Sequence, residues 1–355
     1  MNERIELPIQ LEAIDCVSKC WIYNRLAIIK TSPYYKDWIS SHFNLVIRKG
    51  FQFDFENAKP EYYEEILTRK PVNIFQFTKQ NIVDKLKGYL RDGYYINIML
   101  KPNHDIDYIH EIVLYGFDDE IKIFMAVGID NRIFHFKHAS YEYMEEGIER
   151  IQEELGKNME KTMFMTFNFQ YMVTLFKLNP SFCPDNCVFE AYQKVEKELN
   201  GEMYNIHSSV NFTEYIEQPY GYRYTGLCCL DRFKQMLEKE IRGEEFESWF
   251  QGITLNAKTL IEHHRMMKLS LDYIIEKWGQ AVTDVARISA KAYGECCAEM
   301  EIWLNLCLKY EITKEINLLE RIIAKIPEVY KREKKYLENF LKEGIDLEKL
   351  YKHYI

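Results

Sequence analysis

Cys16 is the residue of this chain best placed to act as a nucleophile. It follows Asp15, a good helix N-cap, and opens an apolar run (Trp21, Ile22, Leu26, Ile28, Ile29) that has the pattern of a buried helix. In the first turn of a helix the positive end of the dipole favours thiolate over thiol, the reactive form. Cys20 competes from one turn further in, where the dipole has faded and access is poorer. Packing alone accounts for most cysteines on a buried helix, so position rather than residue type singles out Cys16.

A thiolate nucleophile needs a base held in place. His110 starts the run His110-Glu111-Ile112-Val113-Leu114-Tyr115-Gly116, a strand pattern followed by the turn signal Asp118-Asp119. A strand holds an imidazole rigidly, whereas the rival His104 sits in the loop pattern Pro102-Asn103-His104-Asp105. If the chain turns at Asp118–Ile121 and returns along Ile121–Ile129, position 129 or 130 faces His110, which points to Asp130. A carboxylate there can accept the imidazole N–H, fix the tautomer and stabilise the imidazolium. Asn131 is the neighbouring alternative, while Asp118 and Asp119 read as turn residues. Gln10 lies six residues before Cys16. Its side-chain amide, with the Cys16 N–H, can donate to the oxyanion that forms when the thiolate attacks a carbonyl.

The elements that must position these groups fall into two regimes. In the first, Phe51–Phe55 alternates like a short strand, 80–91 reads as a helix stopping at Asp92-Gly93, and Tyr94–Leu100 reads as a strand. The expected hairpin follows, Ile133–Phe136 extends the sheet, 141–155 is an amphipathic acidic helix, and Met163–Leu178 is strand-rich. From about residue 186 the patterns are almost all helical, one helix running to Leu199 and stopping at Asn200-Gly201 and others covering roughly 227–242, 256–278, 280–310 and 312–342, with Pro327 expected to break or kink the last. Gln218–Tyr224 reads as a loop between the regimes. The fold class expected is α+β: a catalytic domain over 1–178 and an all-helical domain over 179–355, serving as a lid, a docking surface or a dimerisation element.

Bulk properties bound the function. The 355 residues are 47% hydrophobic and 15% aromatic, enough to bury a sizeable core. A net charge of −9 argues against a nucleic-acid binder. No apolar run approaches the ~18 residues that span a bilayer, and the N-terminus lacks a secretory layout, so a cytoplasmic location is expected. The nine cysteines, mostly near-neighbours, read as free thiols. Cys183-x3-Cys187 is not a zinc-knuckle spacing, Glu262-His263-His264 lacks the second histidine of a metalloprotease helix, and there is no glycine-rich phosphate loop. No metal and no cofactor is expected. The run Lys331-Arg332-Glu333-Lys334-Lys335 reads as a solvated helix face that could attract an acidic partner.

Gln10-x5-Cys16 with a preceding acid, and a second cysteine four positions on, resembles the bacteriocin-processing (C39) branch of papain-like peptidases. The His110–Asp119 run more closely resembles the family of the butirosin acyltransferase N-terminal domain, whose histidine strand runs into a Gly-Tyr-Asp-Asp-like turn. In size and layout the chain is also similar to the amide synthetases of polythioamide assembly. The likeness covers about residues 5–135, with departures at Val17 (glycine in the C39 branch), at Phe117 (commonly tyrosine) and at Ala126-Val127, where an acid usually follows the histidine. The resemblance implies a papain-like fold and a Cys16–His110–Asp130 triad with Gln10 at the oxyanion. It also implies transfer of an acyl or peptidyl chain from the phosphopantetheine thioester of a carrier protein to a small primary amine. A peptidase or thioesterase using water, and a non-catalytic binding protein on the same fold, are the competing readings; a homodimer is left open. With no exporter-type membrane or nucleotide-binding segment in the pattern, the acyltransferase branch is the better fit.

Overall fold

In a computed structural model of the chain, the residues described are 3–12, 20–48, 52–55, 63–100, 110–130, 133–158, 173–201, 203–206, 220–244, 252–346 and 348–350. At some element ends, including Cys20, His110 and Asp130, only the backbone is described. The chain divides into two units, one of Met1–Tyr35, Lys59–Phe182 and Val210–Ile216, the other of Lys36–Ala58, Cys183–Ser209 and Glu217–Ile355.

The first unit is a seven-stranded antiparallel sheet with helices. Its elements are β1 (Arg4–Glu6), α1 (Cys20–Ile29), β4 (Leu67–Val72), α3 (Ile82–Arg91), β5 (Tyr95–Leu100), β6 (His110–Asp118), β7 (Ile123–Asp130), β8 (Ile133–Ser140), α4 (Tyr141–Asn158) and β9 (Val173–Leu178). The strand order is β4-β9-β5-β6-β7-β8, with β1 also pairing β6. Because strand side chains alternate between faces, Ile96, Ile98 and Leu114 pack with Leu86 and Leu90 of α3 and Met144 and Ile148 of α4. Asn97, between Ile96 and Ile98, belongs to the other face, where α1 docks through Glu111. α3 stops at Asp92-Gly93 as the sequence predicts.

β6 carries a bulge between Leu114 and Gly116. Beyond it β1 lies along the same strand, Ile5 facing Phe117 and Glu6 facing Gly116. A Cβ on Gly116 would run into the β1 main chain, 3.0 Å from the Glu6 Cα, so only glycine admits this strand so closely.

The second unit holds α2 (Tyr35–Ser41, all but its first residue), β2 (Leu45–Arg48), β3 (Gln52–Phe55), α5 (Cys187–Asn200), β10 (Met203–Ile206), β11 (Tyr220–Thr225), α6 (Cys228–Ile241), α7 (Ile253–Trp278), α8 (Asp284–Thr313) and α9 (Asn317–Glu343). It is therefore not all-helical: β10-β11-β2-β3 form a four-stranded antiparallel sheet. The segment expected to be a loop at Gln218–Tyr224 contributes β11 from Tyr220 onward. Tyr220, Tyr222 and Tyr224 alternate with smaller or charged residues, a period-two pattern that pairs with β2 and β10, and Pro219 stands just ahead of the strand. Residues 36–58 also join this unit, although they precede the boundary read at 178.

Pro327 does not break the last helix; α9 runs through it. Ile322, Ile326, Val329, Leu337 and Phe340 are buried on both sides of the proline, so packing holds the helix across the missing N–H. Gly226 at φ +66° leads into α6, where a Cβ would stand 3.0 Å from the Lys197 carbonyl and against that of Glu198. Among the described residues no helix is long and apolar enough to cross a membrane.

Candidate active site

α1 forms because Ile22, Tyr23, Leu26, Ile28 and Ile29 supply a helix buried nearly all round. Its orientation is fixed by contacts at both ends. Tyr23, early in the helix, stacks on Phe134 of β8 with ring centroids 3.7 Å apart, and Asn24 donates to Glu111 of β6 at 3.3 Å. Just past the last turn, Thr31 lies beside Tyr95 at the opposite end of β5. The start of α1 thus lies toward the Leu100 end of β5, which pairs with His110.

His110 and Asp130 occupy that same end. His110 is the first residue of β6 and Asp130 the last of the adjacent antiparallel β7. The ladder pairs Leu114 with Ala126 and Val113 with Val127 and ends at Ile112 with Gly128, so positions 110 and 130 both lie just past its last pair. Asn131, the alternative, falls outside the described residues, as do His104, Asp15 and Cys16 itself. Asp118 and Asp119 lie at the opposite end of the hairpin, Asp118 facing Ile123 and Asp119 bonded to Lys87 at 2.6 Å and to Tyr141 at 2.7 Å.

Gln10 is exposed, and its backbone N–H donates to the Ala27 carbonyl at 3.1 Å. The chain runs from Pro8, whose carbonyl accepts from Tyr95, past Ala27 to Leu11, whose carbonyl is 3.5 Å from the Tyr23 hydroxyl. Residues 8–11 therefore climb α1 toward its start. The Gln10 main chain is still seven residues of helix, about 10 Å, from the Cys20 end.

Glu111 is a β6 side chain that meets α1, and no motif in the sequence marks it. Its two oxygens accept from the amides of Asn97 on β5 and Asn24 on α1. Burial pushes its carboxyl upward, opposed by the Arg25 charge and by both amides. Arg25 itself lies over Tyr63 and Phe176, 5.0 and 5.5 Å from the ring centroids. An alternating strand with one acid reads as a half-solvated strand; the signal that was available is the pair of polar residues Asn24-Arg25 inside an otherwise apolar helix.

The second unit contains a separate buried polar cluster. His263 Nε2 bonds Glu198 at 2.9 Å, and His264 bonds Glu333 at 3.2 Å through Nε2 and the Leu260 carbonyl at 2.8 Å through Nδ1. Burial lowers His264, but the Glu333 carboxylate outweighs it and raises the imidazole to about 9. For His263 burial wins, leaving it a neutral donor to an ionised Glu198 that Lys194 also stabilises. Glu333 is fully buried, so the run Lys331–Lys335 is not wholly solvated; Lys331, Lys334 and Lys335 are exposed while Arg332 pairs with Glu299. No group of three or more His, Cys, Asp and Glu among the described residues could hold a metal ion.

The seven cysteines whose side chains are described, Cys183, Cys187, Cys228, Cys229, Cys296, Cys297 and Cys307, are free thiols. Burial pushes Cys296 and Cys307 up to about 12, which makes them poor nucleophiles. No protein-family model matches this chain, and no curated protein matches it by sequence.

Proposed function

We propose that this protein is a papain-like cysteine acyltransferase that forms amide bonds, with Cys16 as nucleophile, His110 as base and acid, and Asp130 as orienting carboxylate. The observation that carries the reading is the meeting of three chain segments: the start of α1, the first residue of β6 and the last residue of β7 share one end of the sheet. Cys16 enters this reading from the sequence, four residues ahead of α1.

The thiolate of Cys16 attacks the carbonyl of a carrier-bound thioester. The C–S bond to phosphopantetheine breaks, and the departing thiolate takes the proton from the His110 imidazolium. The acyl-enzyme thioester is close in energy to its donor, so the exchange is readily reversible. A primary amine then attacks, His110 removes its proton, and the Cys16 thiolate leaves. The Cys16 N–H is the first oxyanion donor of this reading, and the Gln10 amide, taken from the sequence spacing alone, the second. An acidic carrier protein would be drawn by exposed Lys331, Lys334 and Lys335.

The test is intact-protein mass spectrometry after mixing with a small acyl thioester, using wild type, Cys16→Ala and Cys20→Ala. An acyl adduct that disappears only in Cys16→Ala, and that amines convert to amide faster than water hydrolyses it, supports the transferase. Release to water alone makes the protein a thioesterase or peptidase. An adduct dependent on Cys20, or none with any donor, overturns the reading.

A further inference from the structure

The polar contacts beneath α1 are an odd choice for stability. Asn24 and Arg25, at 1% and 5% exposure, sit in a helix whose other inner residues are apolar, and they face a carboxyl that burial destabilises. Neither the Asn24 Oδ1 nor the Asn97 Oδ1 has a hydrogen-bond partner among the described residues, because each amide is turned to give its N–H to Glu111. Replacing buried ionic and polar groups with apolar ones of similar volume is often neutral or stabilising. What an apolar contact lacks is direction: a greasy helix can slide or turn on a sheet at little cost, whereas hydrogen bonds to one carboxylate fix a single register.

We infer that Glu111 is a positioning residue: through Asn24 of α1 and Asn97 of β5 it fixes the rotation and axial register of α1 against β6, and so the placing of Cys16 relative to His110. The inference rests on the acyltransferase reading above. Glu111 is covalently next to His110, so the strand residue that carries the base and the one that anchors the nucleophile's helix move as one piece. Arg25, lodged over Tyr63 and Phe176, braces the same turn of α1 from the β9 side. A thiolate–imidazolium pair depends steeply on distance, and a small slip of α1 weakens it.

The experiment is the pH profile of Cys16 alkylation by iodoacetamide, mapped by peptide mass in the full-length protein. Wild type, Glu111→Gln and Asn24→Ala are compared, each with its melting temperature. Wild type should alkylate with a midpoint well below the ordinary thiol value of about 8.5. In Glu111→Gln the midpoint should rise by about one unit, a tenfold fall in thiolate at a given pH, without loss of melting temperature. Asn24→Ala keeps the carboxylate and loosens only the docking, so a rise there separates register from charge; it also decides the matter if Glu111→Gln does not fold. Variants that melt lower yet keep the wild-type midpoint overturn the inference and make the bracket purely structural. A wild-type midpoint at the ordinary thiol value overturns the acyltransferase reading itself, and the inference with it.

Discussion

Asn24 and Glu111 are 87 residues apart in sequence and 3.3 Å apart in space, and their hydrogen bond joins the first described helix to the strand that begins with His110. Burial raises the Glu111 carboxyl above its usual 4.5, against the pull of Arg25 and the two amides. The folded state therefore holds this proton more tightly than the unfolded chain does. A raised carboxyl favours folding below its unfolded value, and that contribution is lost as pH rises through the folded one. At pH 7 Glu111 thus works against folding.

Glu111→Gln should consequently melt at the same temperature as wild type or higher at neutral pH. The gap should close at about pH 3, well below the ordinary glutamate value, where the carboxyl is protonated in both states. Circular-dichroism melts at the two pH values check this. A variant clearly less stable than wild type at pH 7 contradicts the assignment of burial as the dominant cause.

On the acyltransferase reading proposed above, His110→Ala should lower the rate of acylation from a small thioester by about 10²–10⁴-fold, the usual weight of general acid–base catalysis. Asp130→Ala should cost less, since an orienting carboxylate acts through the imidazole. Stopped-flow release of the thiol leaving group measures both. If His104→Ala is the deleterious variant and His110→Ala is silent, the base lies in the loop instead.

Of the two histidines of α7, His264 predicts a pH dependence of stability at the alkaline side. His264 is raised from 6.5 to about 9, chiefly by Glu333 once burial is overcome. A raised histidine contributes fully below pH 6.5, and that contribution is lost as pH rises through about 9. Glu333→Gln removes the cause. Urea midpoints should fall more steeply across this window in wild type than in the variant, and parallel slopes would count against the pairing.

Gly226→Ala should destabilise the second unit by roughly 2–4 kcal/mol, from a positive φ combined with a collision against the α5 carbonyls. Gly243→Ala is the control. It has a similar φ of +67° but open space around its Cβ position, and should cost only the backbone strain. Urea denaturation of the two variants gives the difference directly.

The hairpin of β6 and β7 was legible because apolar runs flank an acidic turn, and this drew attention to Asp130. The bulge near Tyr115 was not legible: it shifts the pairing by one residue partway along, a choice made by β1 coming alongside Gly116. β11 was missed because Pro219 and Gly221 are turn signals, and its partner strand β2 lies some 175 residues earlier. Glu333 looked solvated among lysines, since nothing local reveals that His264, 69 residues before it, waits inside the core. Patterns within a dozen residues could be read; those set by distant partners could not.

The chain visits each unit more than once. Strand β2 pairs with β3 at once, but its other edge receives Tyr224 and Thr225 only after about half of the sequence has intervened. On the ribosome, residues 45–55 therefore emerge long before their sheet can be completed, and that early hairpin is exposed to wrong partners meanwhile. Cutting the chain after residue 182 would leave it permanently in that state. The amino-terminal half is thus not a self-contained folding unit, and its expression alone should give aggregation.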